Sequence, residues 1–100
     1  MPYFLLIYDV VDDYLERRAE HRAEHLALAQ AAAARGELRL GGAFADPADG
    51  AVLVFEAPDR GAAERFAAED PYVRHGLVRK WFVRDWTVVV GADLRPPRSS

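Results

Sequence analysis

The chain has 100 residues, 51% of them hydrophobic and 29% charged, with a net charge of −3, which fits one globular domain and lacks the basic excess of nucleic-acid-binding proteins. It contains no cysteine, which excludes disulfides, thiol nucleophiles and cysteine-based metal centres. Its apolar runs are too short to span a bilayer, so we do not expect a membrane partner. Because the chain lacks a basic excess, we do not expect a nucleic-acid partner either.

The first half of the chain predicts a strand, a long helix and a hairpin. Residues 2–11 (PYFLLIYDVV) are an apolar run without the basic start of a signal peptide, so we expect a strand and a cytoplasmic protein. Residues 13–35 carry apolar side chains at steps of three or four before Gly36, which predicts a helix. Residues 36–44 and 50–57 are strand-like runs separated by ADPADG, a sequence typical of a hairpin loop.

The second half predicts a helix, a loop and a final strand. Residues 59–70 have Ala and Phe at helical spacing, and Pro71 prevents the helix from continuing. Residues 77–90 (LVRKWFVRDWTVVV) are typical of a long strand. We therefore expect a single domain over residues 1–95 and a disordered tail over residues 96–100.

The element order β-α-β-β-α-β predicts an α+β, ferredoxin-like fold, in which two helices cover one face of a four-stranded antiparallel sheet. The first strand is apolar on both faces. One face carries Tyr3, Leu5 and Ile7, and the other carries Phe4, Leu6, Tyr8 and Val10. The final strand shows the same pattern, but two helices can cover only one side. We therefore predict a homodimer that packs through the sheet face opposite the helices.

The duplicated tetrapeptide RAEHRAEH, at residues 18–25, raises the question of a metal site, because it spells His-x-x-Glu-His from His21 to His25. A zinc site would need both histidines on one ion and a further ligand elsewhere. The flanks are alanines and charges, and the motif arises wholly from the duplication. We therefore predict no metal site, and we interpret His21 as a solvated helix residue and His75 as a surface histidine.

Helical geometry separates the candidate site residues of the long helix. The centre of its apolar stripe contains Leu15, Arg22, Leu26 and Ala33. His25 lies on the shoulder of this stripe. A guanidinium within an apolar stripe needs a carboxylate partner or an exit to solvent, so Arg22 could pair with Asp9 or Asp70. Each has another explanation, since Asp9 could be strand-edge polarity and Asp70 could open the turn before Pro71.

Two motifs carry a resemblance to a known family. They are Arg22, His25 and Leu26 on the long helix, and Asp70, Pro71 and Tyr72 after the second helix, followed by Gly76 and Leu77. Over residues 2–90 the chain resembles the YCII-related (YciI-like) domain family of small dimeric ferredoxin-like proteins. This resemblance implies the wider group of dimeric α+β barrels. It departs from many relatives at Gly41-Gly42, where they have Gly-Pro.

The resemblance implies a catalytic pair, His25 and Asp70, with Arg22, Asp9 and Tyr72 as candidate substrate-binding residues. Relatives of this kind perform isomerisation, elimination or related proton transfer on small cyclic or aromatic compounds, and no cofactor is needed. The alternative is a non-catalytic dimer that binds a small molecule or serves as an accessory protein. In that case His25 and Asp70 would only tie the first helix to the end of the second.

Overall fold

The computed structural model describes residues 1–91 and confirms the predicted α+β, ferredoxin-like architecture, with one added short helix. The strands are β1 (Tyr3–Val10), β2 (Leu38–Ala43), β3 (Gly50–Glu56) and β4 (Val78–Trp86). The helices are α1 (Tyr14–Ala34), α2 (Gly61–Glu69) and α3 (Pro71–Arg74). The sheet has the order β2-β3-β1-β4, and each neighbouring pair is antiparallel. The predicted domain boundary at residue 95 and the predicted tail lie outside the described residues.

Strand β1 lies in the middle of the sheet, and its side chains alternate between the two faces. Phe4, Leu6 and Tyr8 are buried in the core that joins the sheet to the helices. Leu5 and Ile7 point to the opposite face, where they are only partly buried. The predicted apolar character of both faces of this strand is therefore present in the fold.

Strand β4 is shorter than predicted, because its partner ends. It lies at the edge of the sheet and pairs only with β1, whose first residue, Tyr3, faces Trp86. Beyond Trp86 the chain has no strand opposite it, so residues 87–90 are not in the sheet. The prediction of a strand that continues to residue 90 was wrong.

Pro71 ends α2, as predicted, but it also begins α3. Proline suits the first turn of a helix, where its missing N–H has no partner to lose. The carboxylate of Asp70 caps this helix by accepting a hydrogen bond from the backbone N–H of Tyr72 at 3.0 Å. The segment expected to be a loop is therefore a short capped helix that fixes the position of Asp70.

The face of α1 that is buried differs from the predicted stripe. Leu15 and Leu26 are 54% and 38% exposed, and Arg22 is exposed as well, whereas Tyr14 and Ala32 are buried. Alanine occupies so many positions that the periodicity of α1 distinguishes its faces poorly. The aromatic contacts of the helix, which periodicity cannot show, decide the buried side.

The sheet face opposite the helices is partly open, and it carries an apolar cluster beside charged residues such as Arg84 and Glu56. Besides Leu5 and Ile7 it carries Phe82 and Trp86, whose side chains are exposed in the single chain.

Within residues 1–91, no helix is both long and apolar enough to cross a bilayer.

Candidate active site

The Asp70 carboxylate is the fixed point of the site. It is fully buried and accepts hydrogen bonds from three elements of the fold. The Tyr8 hydroxyl of β1 donates at 2.7 Å, the backbone N–H of Tyr72 in α3 donates at 3.0 Å, and His25 Nδ1 of α1 lies 2.9 Å away. A buried carboxylate is tolerated when its oxygens have such partners. Asp70 therefore joins β1, α1 and α3 at one point.

This hydrogen bond sets the orientation of the His25 imidazole. When Nδ1–H donates to the Asp70 carboxylate, the lone pair of a neutral imidazole is on Nε2. Nε2 makes no hydrogen bond within residues 1–91, and the His25 side chain is 16% exposed. The imidazole stacks on the Tyr72 ring, with centroids 3.9 Å apart and planes 7° apart. His25 is thus held on one side and open on the other.

Tyr8 supports Asp70 as a hydrogen-bond donor. Its burial, together with the nearby negative charge of Asp70, raises the pKa of the Tyr8 phenol far above its ordinary value. The hydroxyl therefore keeps its proton and continues to donate to Asp70. From the sequence, Tyr8 could line a pocket, but an aromatic strand residue is more often a core or interface residue.

A groove of about 400 Å³ opens beside His25, between α1 and the β2 side of the sheet. The α1 wall contains Arg18, Arg22, His25, Leu26 and Ala29. Tyr72 also lines the groove, and Gly41 and Gly42 belong to the opposite wall on β2. The α1 face predicted to be the centre of a buried stripe therefore forms a wall of this groove.

Four of the five predicted site residues meet here. His25 and Asp70 share a hydrogen bond, while Arg22 and Tyr72 line the groove next to them. Asp70 itself does not line it, because the carboxylate is buried behind His25. Asp70 was one of two candidate partners for Arg22, but its hydrogen bonds in the described chain come from Tyr8, His25 and Tyr72, and Arg22 does not pair with it.

Asp9 is the fifth predicted residue, and it lies elsewhere. Strand alternation sends its side chain to the sheet face opposite that of Tyr8. There its carboxylate is 3.5 Å from Nε of Arg79. Asp9 is therefore neither a partner of Arg22 nor part of the groove wall, and we correct its assignment as a substrate-binding residue.

The two remaining histidines stack on each other. The imidazole rings of His21 and His75 have centroids 4.2 Å apart and planes 10° apart. His21 is therefore largely buried against the segment after α3, and the interpretation of it as a solvated residue was wrong. No group of three residues that could hold a metal ion occurs in the part of the chain that the structure describes.

Both the fold and the sequence of this chain are similar to those of known proteins. A solved structure of a 5-chloro-2-hydroxyhydroquinone dehydrochlorinase from Burkholderia phenoliruptrix, in complex with 2,5-dihydroxybenzoquinone, is similar with a TM-score of 0.71. The match covers 85% of this chain and 93% of that chain at 22% identity, so it supports a shared fold. No curated protein matches the sequence. Residues 1–87 match the YCII-related domain, and the chain belongs to the YCII-related domain family.

Proposed function

We propose that this protein is a small-molecule enzyme in which His25 acts as the general base for proton transfer in an isomerase-like or lyase-like reaction. One observation carries the proposal. Asp70 is fully buried and lies 2.9 Å from His25 Nδ1, while Nε2 has no partner in the described chain. A base that is oriented from behind and accessible in front is the arrangement that proton abstraction requires.

In the proposed reaction, Nε2 of His25 takes a proton from the substrate and becomes part of an imidazolium. The electron pair of the broken bond moves into the substrate, where it forms an enolate or expels a leaving group. The Asp70 carboxylate stabilises the imidazolium through the hydrogen bond at Nδ1. In an isomerisation the proton returns to another substrate atom, and in an elimination it leaves to solvent. These steps need no cofactor.

The proposed substrate is a small cyclic or aromatic compound held by Arg22 and Tyr72. A groove of about 400 Å³ is within the usual range of small-molecule sites. The similar structure described above is that of a dehydrochlorinase, and it holds 2,5-dihydroxybenzoquinone, a single ring. This likeness supports ring compounds as the first class to test here.

The alternative is a non-catalytic protein that binds the same class of compound. A purely structural role for the His-Asp pair requires only the hydrogen bond at Nδ1. It does not require that Nε2 be accessible. The accessible Nε2 and the open groove favour catalysis over this alternative. Binding without turnover or proton exchange for any ring compound would favour it instead.

A panel of hydroxylated and chlorinated benzenes and quinones tests the proposed function. We expect at least one compound to be converted, with absorbance and chloride release as the readouts. His25→Gln should lower the rate by roughly two to four powers of ten, because the general base is lost. His21→Gln is the matched control, since His21 is one turn away on the same helix and outside the groove. Equal rates in the wild-type protein and His25→Gln would contradict the proposed role.

We further propose that the protein is a cytoplasmic homodimer that pairs through the sheet face opposite the helices. The support for pairing is the apolar character of that face, which includes Leu5, Ile7, Phe82 and Trp86. A patch of this kind is unusual on a protein that stays monomeric.

A further inference from the structure

The charges on the groove wall have one sign. Its charged side chains within residues 1–91 are Arg18, Arg22 and Arg39, and no acidic side chain lines it. Arg39 lies 3.7 Å from the carboxylate of Glu56. Arg18 and Arg22 have no acidic partner in the described chain. The guanidinium carbon of Arg18 lies 5.5 Å from the centroid of the Tyr14 ring. Two guanidinium groups one helical turn apart therefore face the groove without a counter-charge.

The Tyr72 hydroxyl adds an unsatisfied donor to this wall. Tyr72 is 1% exposed, and its hydroxyl proton has no acceptor in the described chain, where Arg22 is the hydrogen-bonding neighbour of the hydroxyl. Burial and the neighbouring Tyr14 raise the pKa of Tyr72, while Arg22 and Arg18 lower it through their positive charges and Arg22 also lowers it through a hydrogen bond. Tyr72, Arg22 and Arg18 all line the same groove. A guanidinium can only donate, so it cannot accept the phenol proton.

We propose that Tyr72, Arg22 and Arg18 form an oxyanion subsite, and that the groove takes planar anions such as phenolates, enolates or ring carboxylates. Several donors without an acceptor are complementary to an anionic oxygen, which can accept from the Tyr72 hydroxyl and Arg22 together. Arg18 adds positive charge at the same end of the groove. A neutral ring would leave the phenol proton without an acceptor and would offer no charge to the two guanidinium groups.

The subsite rests on the proposed function for its catalytic meaning but not for binding. Tyr72 stacks on His25, so an anion held at its hydroxyl lies near the proposed base. Donors placed where negative charge develops stabilise an enolate as its proton is removed. Arg22 and Tyr72 would then act on the reacting ring as well as hold it.

4-Nitrophenolate and its neutral methyl ether, 4-nitroanisole, are the probes that test this subsite. Absorbance or calorimetric titration at a pH where nitrophenol is ionised should give a dissociation constant at least about tenfold lower for the anion. Arg22→Gln should weaken anion binding by roughly 10- to 100-fold and leave the ether almost unchanged. Tyr72→Phe, which keeps the ring but removes the hydroxyl, should weaken the binding of 4-nitrophenolate by about fivefold or more. Arg35→Gln is the control, because Arg35 is outside the groove and pairs with Glu37.

The outcomes separate this inference from the proposed function. Anion preference that is retained in His25→Gln supports the subsite even if no compound is turned over. Equal binding of the phenolate and the ether, or phenolate binding unchanged in both Arg22→Gln and Tyr72→Phe, would overturn the subsite. Turnover that depends on His25 but shows no preference for anions would overturn it too, while the proposed general base would stand.

Discussion

Under the proposed function, Asp70 combines a structural and a chemical role in one carboxylate. Its Oδ2 accepts from Tyr8, and its Oδ1 accepts from both His25 and the backbone N–H of Tyr72. The structural role needs acceptor atoms, whereas the proposed chemical role also needs negative charge to stabilise an imidazolium. Substitutions that remove one property at a time can therefore separate the two.

Asp70→Ala and Asp70→Asn are expected to differ in stability. Asp70→Ala leaves the Tyr8 hydroxyl and the Tyr72 N–H buried without an acceptor, so it should lower the free energy of unfolding by at least about 2 kcal/mol. Asn keeps Oδ1 as an acceptor, and its amide can donate to the Tyr8 oxygen, so Asp70→Asn should lose about half as much or less. Urea unfolding measures both values. Equal losses would show that the hydrogen bonds at Oδ1 do not set the stability.

The pKa of Tyr8 predicts how stability depends on alkaline pH. Burial and the Asp70 charge raise it in the folded protein, while an unfolded tyrosine ionises near pH 10. Above that pH the unfolded chain has lost a proton that the folded chain keeps, so stability falls as pH rises, by about 1.4 kcal/mol per unit for this group. Below pH 10 the contribution is fully present.

Tyr8→Phe isolates this effect. At pH 7 the variant should be less stable by about 1.5–3 kcal/mol, because it lacks the hydrogen bond to the charged Asp70. Between pH 10 and 11.5 its stability should fall less steeply than that of the wild-type protein, so the two urea-unfolding curves converge. Parallel pH profiles for the two proteins would show that Tyr8 keeps an ordinary pKa.

The candidate site is built where α1 contacts α3 and the residue that follows it, His75. Two ring stacks lie along this contact, His25 on Tyr72 and His21 on His75. The side chain of Arg17 also donates to the backbone carbonyl of His75 at 2.9 Å. The repeat of RAEH therefore places two imidazoles one turn apart, and each meets a different ring of the same segment.

His21→Ala tests this contact and the absence of a metal site together. Loss of a stacked ring pair should lower the free energy of unfolding by about 0.5–1.5 kcal/mol. The loss should be the same with and without EDTA, and EDTA should not change the melting temperature of the wild-type protein. Glu16→Ala, at an exposed position of α1 without a contact to His21, is the control. Wild-type protein that EDTA destabilises, while His21→Ala is insensitive to it, would indicate a bound metal.

The sequence predicts the elements of this fold better than their faces. Periodicity and turn residues identify every strand and the two long helices, because these signals are local. The pair of His25 and Asp70 could be predicted only through the family resemblance, since 45 positions separate them in the chain. The misplaced residues, Asp9 and the exposed stripe of α1, depend on which tertiary contacts form, and an alanine-rich helix carries little information about that.

At the scale of the whole molecule, the open sheet face is the feature that a single chain leaves unexplained. Leu5, Ile7 and Phe82 lie on it across two neighbouring strands, and Trp86 extends it towards the end of β4. Burial of such apolar surface is favourable in proportion to its area. Pairing of two sheets would cover it and leave both grooves on the outer, helical side.

Phe82→Glu should disrupt the proposed homodimer. A carboxylate in the middle of an apolar interface would be buried without a partner, which is costly. Size-exclusion chromatography with light scattering should give about twice the mass of the 11.2 kDa chain for the wild-type protein and a monomer for the variant. Ala23→Glu, on the exposed side of α1, is the control and should remain dimeric. A wild-type protein that is monomeric at micromolar concentration would contradict the pairing.

Proton abstraction by His25 can be measured by hydrogen–deuterium exchange of a bound compound. A ring compound that the protein binds is incubated in D₂O with wild-type protein or His25→Gln, and the loss of its exchangeable C–H signal is followed by NMR. We expect the wild-type protein to catalyse the exchange, and His25→Gln to slow it by roughly two to four powers of ten while binding the compound similarly. Equal exchange rates at equal occupancy would contradict it.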